Sequence, residues 1–424
     1  MAACTDRTEP YRTAALPPVE GYKAALPVGT TAFDNNDLTK LFVQLTTRLE
    51  SGRDLNGLQR FEGPVNVGIT GDGANIYRPF LREFLADIRA NTGIDISAGP
   101  PPHNLLIRMV PGEEMLPGSQ VQCFILSSQP TWDEFETDPE WYNEEVVFHE
   151  GPLTSVGIFI PDTLEPYKVR ECISEEVTQA LGTSNDLYGL ATTIFNDDDA
   201  HTWPTKLDYL MLKVLYDPRL KSGLGKLETF GIAGKILDEV NPAGRGAPPL
   251  PKIRQTQFKK WRLKLHESLN SERIAALQGV RQVAKDARNM APGSAYDCTG
   301  AFALAAVGAN MEVKDTEALL TRALNTCTKA HGDDDIRIAH LRLIRAFWFL
   351  DTEKFRQARS EAEAVLPKLI AYGLEDDITD AKIILVRSAF ELKDPKLDDL
   401  LDDATRWAAF AYGDDHELTQ TLRN

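Results

Sequence analysis

The chain has 424 residues, of which 46 are Lys or Arg and 63 are Asp or Glu, for a formal net charge of −17. A hydrophobic content of 42% and a charged content of 26% are those of a folded protein and exclude disorder throughout. The acidity argues against generic binding to nucleic acid or to an anionic membrane surface, since both are polyanions, and the length predicts two or three domains.

The first stretch, residues 1–27, carries Pro10, Pro17, Pro18 and Pro27 and reads as a flexible tether. Its start, Met1-Ala2-Ala3-Cys4, resembles the end of a bacterial lipoprotein signal, in which small residues precede a lipidated cysteine. That resemblance implies a lipid anchor at Cys4. Apolar residues at helical spacing (Leu38, Leu41, Phe42, Leu45, Leu49) predict a helix over 37–50, capped by Asn36 or Asp37. Residues 65–70 read as a strand ended by a glycine turn, and 79–91 as a helix stopped by Gly93. The turn lacks the Gly-Lys-Ser/Thr of a phosphate-binding loop. Strands are predicted at 94–97, 105–110, 121–126, 146–149 and 156–160, then a helix at 166–181. This order predicts an α+β domain over 28–240.

The chemistry-bearing segment is Glu175-Glu176-Val177-Thr178-Gln179-Ala180-Leu181-Gly182-Thr183-Ser184-Asn185-Asp186. Glu175 and Gln179 are four apart and share a helix face. The spacing resembles the metzincin pattern H-E-x-x-H-x-x-G-x-x-H/D. In that resemblance Glu175, Gln179 and Asn185 stand at the metal-ligand positions, and Glu176 at the catalytic glutamate. Only Glu176 and Gly182 keep the family's residue. No Met stands in 191–196, where the methionine turn would fall, and residues 204–218 resemble the helix that closes metzincin domains. The run E-E-x-x-Q-x-L-G-x-x-N-D, followed by I-F-N-D-D and L-Y-D-P-R-L, also resembles a bacterial domain family of unknown function over roughly 30–230. One carboxylate and two amides are poor zinc ligands, which implies a degenerate, metal-free zincin-like domain. No cofactor is expected, and a divalent cation only weakly. The competing expectation is a hydrolase, cleaving peptide or glycan, with Glu176 as general acid/base beside Asp186 or Asp197. Asp197-Asp198-Asp199 lacks the spacing of a calcium loop and reads as acidic surface.

Residues 241–254, with Pro242, Gly244, Gly246, Pro248, Pro249 and Pro251, read as a linker. The acidity divides unevenly around it: residues 1–254 carry a net −14 and 255–424 a net −3. Residues 255–424 are helical throughout, with predicted segments near 257–288, 296–310, 313–331, 335–350, 353–372, 376–392 and 396–411. The joints Ala330-His331-Gly332-Asp333, Ala371-Tyr372-Gly373-Leu374 and Ala411-Tyr412-Gly413-Asp414 echo one another, with glycines 41 and 40 residues apart. The period resembles the longer tetratricopeptide variants, and implies an all-α helical-repeat domain that binds proteins or peptides.

Five cysteines remain to be placed. Cys123 and Cys172 fall in the first domain, Cys298 and Cys327 in the second. One bridge within each domain, with Cys4 as anchor, accounts for all five and predicts an oxidising compartment. The alternative is a cytoplasmic protein with buried, reduced thiols. The seven histidines form no cluster. Together these readings predict a periplasmic or cell-envelope lipoprotein. It would bind an envelope protein or peptide through the helical domain, touch the membrane only through its lipid, and bind no nucleic acid.

Overall fold

The structure, a computed structural model, describes residues 12–23, 33–49, 52–112, 123–126, 151–187, 192–196, 201–249 and 255–424, the side chains of 255–259 excepted. Cys4, Asp197, the Asp198-Asp199 pair and the strand predicted at 146–149 lie outside these residues.

The first part mixes helices and strands: α1 (Asn35–Thr46), β1 (Val65–Thr70), α2 (Ala74–Thr92), β2 (Ile96–Ala98), β3 (Leu105–Val110), β4 (Phe124–Leu126), β5 (Val156–Pro161), α3 (Pro166–Ala180), α4 (Lys206–Leu215) and α5 (Lys226–Val240). The sheet order is β2-β1-β3-β5-β4. Every pairing is parallel except β4 on β5, which is antiparallel. The region is therefore α/β, not the α+β arrangement expected. Apolar patterning marks a strand but not its direction, which the connections between strands set. β5 is buried at all six residues, as befits a strand inside a sheet with a helix packed on it.

Two apolar cores result. One lies between the sheet and the helices α2 and α3, where Val67, Ile69, Phe84, Ile107, Ile158, Ile173 and Val177 meet. The other joins α1, α4 and α5 through Phe42, Leu45, Met211, Val214 and Ile236. Each large side chain so buried contributes about 1.5–3 kcal/mol.

α1 starts and ends earlier than predicted. Asp34 caps it by accepting from the backbone N–H groups of Asn36 and Asp37. Leu49, read as its last apolar position, is buried beyond the helix end, beside the Arg48–Asp54 bridge. α2 starts a turn and a half before Pro79, which stands inside it.

The beginning of the predicted linker is an ordered turn, Pro242–Gly244. Asn241 is fully buried, donates from Nδ2 to Asn35 Oδ1 at 2.8 Å, and receives Asn35 Nδ2 on its carbonyl at 3.1 Å. This exchange ties the end of α5 to the start of α1.

The second part contains nine helices among the described residues: α6 (Gln255–Leu269), α7 (Arg273–Met290), α8 (Ala295–Asn310), α9 (Thr316–His331), α10 (Ile336–Asp351), α11 (Phe355–Tyr372), α12 (Glu375–Leu392), α13 (Leu397–Ala411) and α14 (Glu417–Arg423). Each packs on the next, and the short α14 was not predicted. A core around Leu343, Ala346, Ala362, Leu369, Ile378, Ile384 and Trp407 holds α10 to α13 together. Cys298 on α8 is bonded to Cys327 on α9.

Candidate functional site

α3 carries the predicted site. Pro166 opens it at a position where a missing N–H costs nothing. Val169, Ile173 and Val177 set one side into the sheet core. Cys172 is bonded to Cys123, which stands just before β4, and this fastens the helix to the sheet edge. Its small polar residues are absorbed by backbone: Ser174 Oγ donates to the Arg170 carbonyl at 3.0 Å, and Thr178 Oγ1 to the Ser174 carbonyl at 2.6 Å. Gly182 turns the chain with φ of +115°, and a Cβ there would stand 2.2 Å from the Gln59 carbonyl oxygen. Only glycine satisfies both demands.

Glu176 is buried, at 7% exposure, while Glu175 and Gln179 are half-buried. Gln179 Nε2 donates to Asp186 Oδ1 at 3.1 Å, and Asn185 Nδ2 donates to the Gln44 carbonyl at 3.0 Å. Two of the three ligand-equivalent side chains thus fasten local structure. Asn185 links the turn after α3 to α1, and Gln179 holds Asp186, the carboxylate offered as partner to Glu176. The donor set of one carboxylate and two amide oxygens does not fit tetrahedral zinc. Among the described residues, no group of three His, Cys, Asp or Glu side chains is placed to hold a metal ion.

The position of the expected methionine turn is a 3-10 turn, Ile194–Asn196, with Phe195 fully buried in the second core. Asp208, also fully buried, closes it against α4. Its carboxylate accepts from Thr193 Oγ1, from Ile194 N at 3.0 Å and from Thr205 N at 2.7 Å. Burial nevertheless pushes the Asp208 carboxyl up to about 6, the three donors opposing it.

A second constellation, absent from the sequence reading, lies where the two parts meet. Arg170 on α3 and Glu375 at the start of α12 are both buried, at 5% and 6% exposure. Arg170 Nε donates to Glu375 Oε2 at 2.8 Å, Nη2 reaches the same oxygen, and Nη2 donates to the Phe410 carbonyl at 2.8 Å. The guanidinium also lies 4.2 Å from the Phe410 ring centroid. Tyr22 OH donates to Glu375 Oε1 at 2.8 Å. No local sequence pattern announces this site, since Arg170 and Glu375 stand 205 residues apart.

Tyr22 belongs to the stretch read as a flexible tether. Of that stretch, residues 12–23 lie against the helical part. Val19 and Tyr22 pack on its core, and Lys23 N donates to the Ile370 carbonyl at 3.0 Å. Prolines and small residues forbid a helix there, but an extended chain can still dock by its backbone.

Residues 35–232, a little under half of the chain, match the family described as a protein of unknown function, DUF2927. The match covers α1 to the middle of α5 and agrees with the resemblance to a domain of unknown function. No curated protein and no solved structure matches the chain. No helix among the described residues is long and apolar enough to cross a membrane.

Proposed function

We propose that this is a protein- or peptide-binding protein of the bacterial periplasm or cell envelope, held by a lipid at Cys4. Its α/β part is read as a catalytically degenerate, zincin-like domain, and its helical part as a tetratricopeptide-like module. The observation that carries the reading is the use of Gln179 and Asn185 as structural donors, to Asp186 and to the Gln44 carbonyl. A helix that supplied zinc ligands would present imidazoles from those positions. The helix α3, the turn at Gly182 and the later helix α4 fall where the resemblance expects them, which supports the reading. The two disulfides support an oxidising compartment.

The competing reading, a hydrolase using Glu176, is tested by the same experiment. The full chain and its Glu176→Gln variant are used to capture partners from an envelope extract, and both are assayed on peptide and glycan substrates. Equal capture by the two chains, with no turnover by either, is the expected result. Turnover by the native chain that Glu176→Gln abolishes would overturn the binding reading.

A further inference from the structure

We propose that the groove between the two parts is a binding site for an extended, lysine-bearing polypeptide segment, and that residues 12–23 occupy it as a self-ligand. This rests on the peptide-binding reading above and gives that reading a place and a chemistry.

The segment docks as a bound peptide would. It has no helix or strand of its own: residues 12–19 run without regular structure and residues 20–23 form a turn. Ala14 N donates to the Ala409 carbonyl at 3.2 Å, Thr13 Oγ1 to the Phe410 carbonyl at 2.8 Å, and Lys23 N to the Ile370 carbonyl at 3.0 Å. Those acceptors lie in the last turns of α13 and α11, and the Ile370 carbonyl also accepts from the Gly373 N–H at 3.0 Å. Asp414 N returns a bond to the Arg12 carbonyl at 2.7 Å. Backbone bonds of this kind hold a chain with little regard to its sequence.

Specificity comes from the end of the segment. Lys23 has φ of 56°, in the region that side-chain-bearing residues seldom adopt. That conformation carries its ammonium to 3.7 Å from the Trp203 ring centroid, 4.7 Å from Phe80 and 5.2 Å from Tyr22. Three aromatic rings around one cation make an aromatic cage, an arrangement proteins use to recognise ammonium groups. Trp203 is fixed by donating from Nε1 to Asp87 Oδ2 at 3.1 Å and to Tyr209 OH at 3.0 Å. The lysine stem passes over the glycine joint between α11 and α12: a Cβ on Gly373 would stand 2.7 Å from Lys23 Cγ. Two walls of the cage, Trp203 and Phe80, belong to the α/β part, and the joint belongs to the helical part.

The segment is separable from the fold it sits on. The buried members of the core beneath it all come from residues 336–410. To that core the segment adds Val19 and Tyr22, both partly covered; Pro17 is its one buried residue, while Arg12, Ala15, Leu16, Pro18, Glu20 and Gly21 are exposed. A partner segment with an aromatic–lysine end has the chemistry to take its place.

The test uses the full chain and a labelled synthetic peptide of residues 12–23, with binding read by fluorescence anisotropy. In the native chain the groove is taken, so the peptide's apparent affinity is reduced by the fraction of time the groove is open. The Tyr22→Ala/Lys23→Ala chain is expected to bind the peptide at least about tenfold more tightly than the native chain. A peptide with alanine at the lysine position should lose at least about tenfold of that affinity. A variant that stays folded by circular dichroism yet binds no more tightly than the native chain would overturn the proposal. Hydrogen exchange on the native chain guards against a variant that fails to fold. The Ala14 and Lys23 amides should exchange well before those inside α11 and α13, and exchange only with global unfolding would contradict a detachable ligand. A native dimer that these substitutions dissolve would assign the groove to a second copy's segment and overturn the arrangement in cis. Envelope partners captured equally by native and variant chains would leave the binding reading intact and exclude this groove.

Discussion

At the scale of single residues, Gly182 is fixed by the backbone rather than by any chemistry. Its φ of +115° and the Gln59 carbonyl at 2.2 Å from any added Cβ make it a backbone requirement, whatever stands at the ligand positions. Gly182→Ala is therefore expected to destabilise the chain by about 1–3 kcal/mol or more, since the strain of a positive φ adds to a backbone clash. Urea unfolding of native and variant chains measures it, and a change below about 0.5 kcal/mol would contradict this account of the turn. Gln179 and Asn185 make the same point from the other side. Their spacing was legible from sequence, but their partners were not. Gln44 lies 141 residues before Asn185, and no local pattern announces such a pairing.

At the scale of elements, α12 carries the most perturbed acids. Burial first, and then the neighbouring Asp377 carboxylate, push Asp376 up to about 7 and Asp380 up to about 8. His340 is also raised, because the Asp377 oxygen 2.8 Å from its Nε2 outweighs its burial. These three groups bind more protons folded than unfolded. Their contribution to stability is present at low pH and is lost as pH rises, for the two aspartates from the ordinary carboxylate value near 4 to about 8, and for His340 above the ordinary histidine value near 6.5. His331, lowered to about 4 by burial and then by Arg337, works in the opposite sense between about 4 and 6.5. The carboxyls of Asp54, Glu62, Asp217, Glu239 and Asp394 are all lowered, so they weaken the fold only below their ordinary range. The melting temperature should therefore fall between pH 6.5 and 8, and Asp376→Asn/Asp380→Asn should flatten that fall. An equal slope in both chains would count against the assignment.

Elements were also the most readable scale. β1 and β3 end where alternation predicted, and α3 begins at the predicted Pro166. Local propensity and apolar period decide such stretches. The boundaries of α1 and α2 moved because a cap and a tolerated proline, Asp34 and Pro79, outrank periodicity at helix ends.

At the scale of the whole molecule, the two parts meet through a buried ion pair, Arg170–Glu375, and a segment that touches both. Tyr22 and Glu375 are 353 residues apart, which is why composition made residues 12–23 look like a tether. The mostly parallel sheet was hidden for a related reason: strand direction follows from connections, not from the strands themselves. The cysteines are the exception, because an even number per domain nearly determines the pairing, and both bridges join the predicted partners.

The central claim is that α3 and the turn after it are structural elements, with the Gln179 and Asn185 side chains committed to hydrogen bonds that hold the fold. Metal content tests it most directly. The purified full chain, dialysed against buffer containing micromolar zinc and then against metal-free buffer, is analysed by elemental mass spectrometry. The account predicts well below one zinc per chain, unchanged by Glu176→Gln. Stoichiometric zinc that is lost on Glu175→Ala or Gln179→Ala would contradict it.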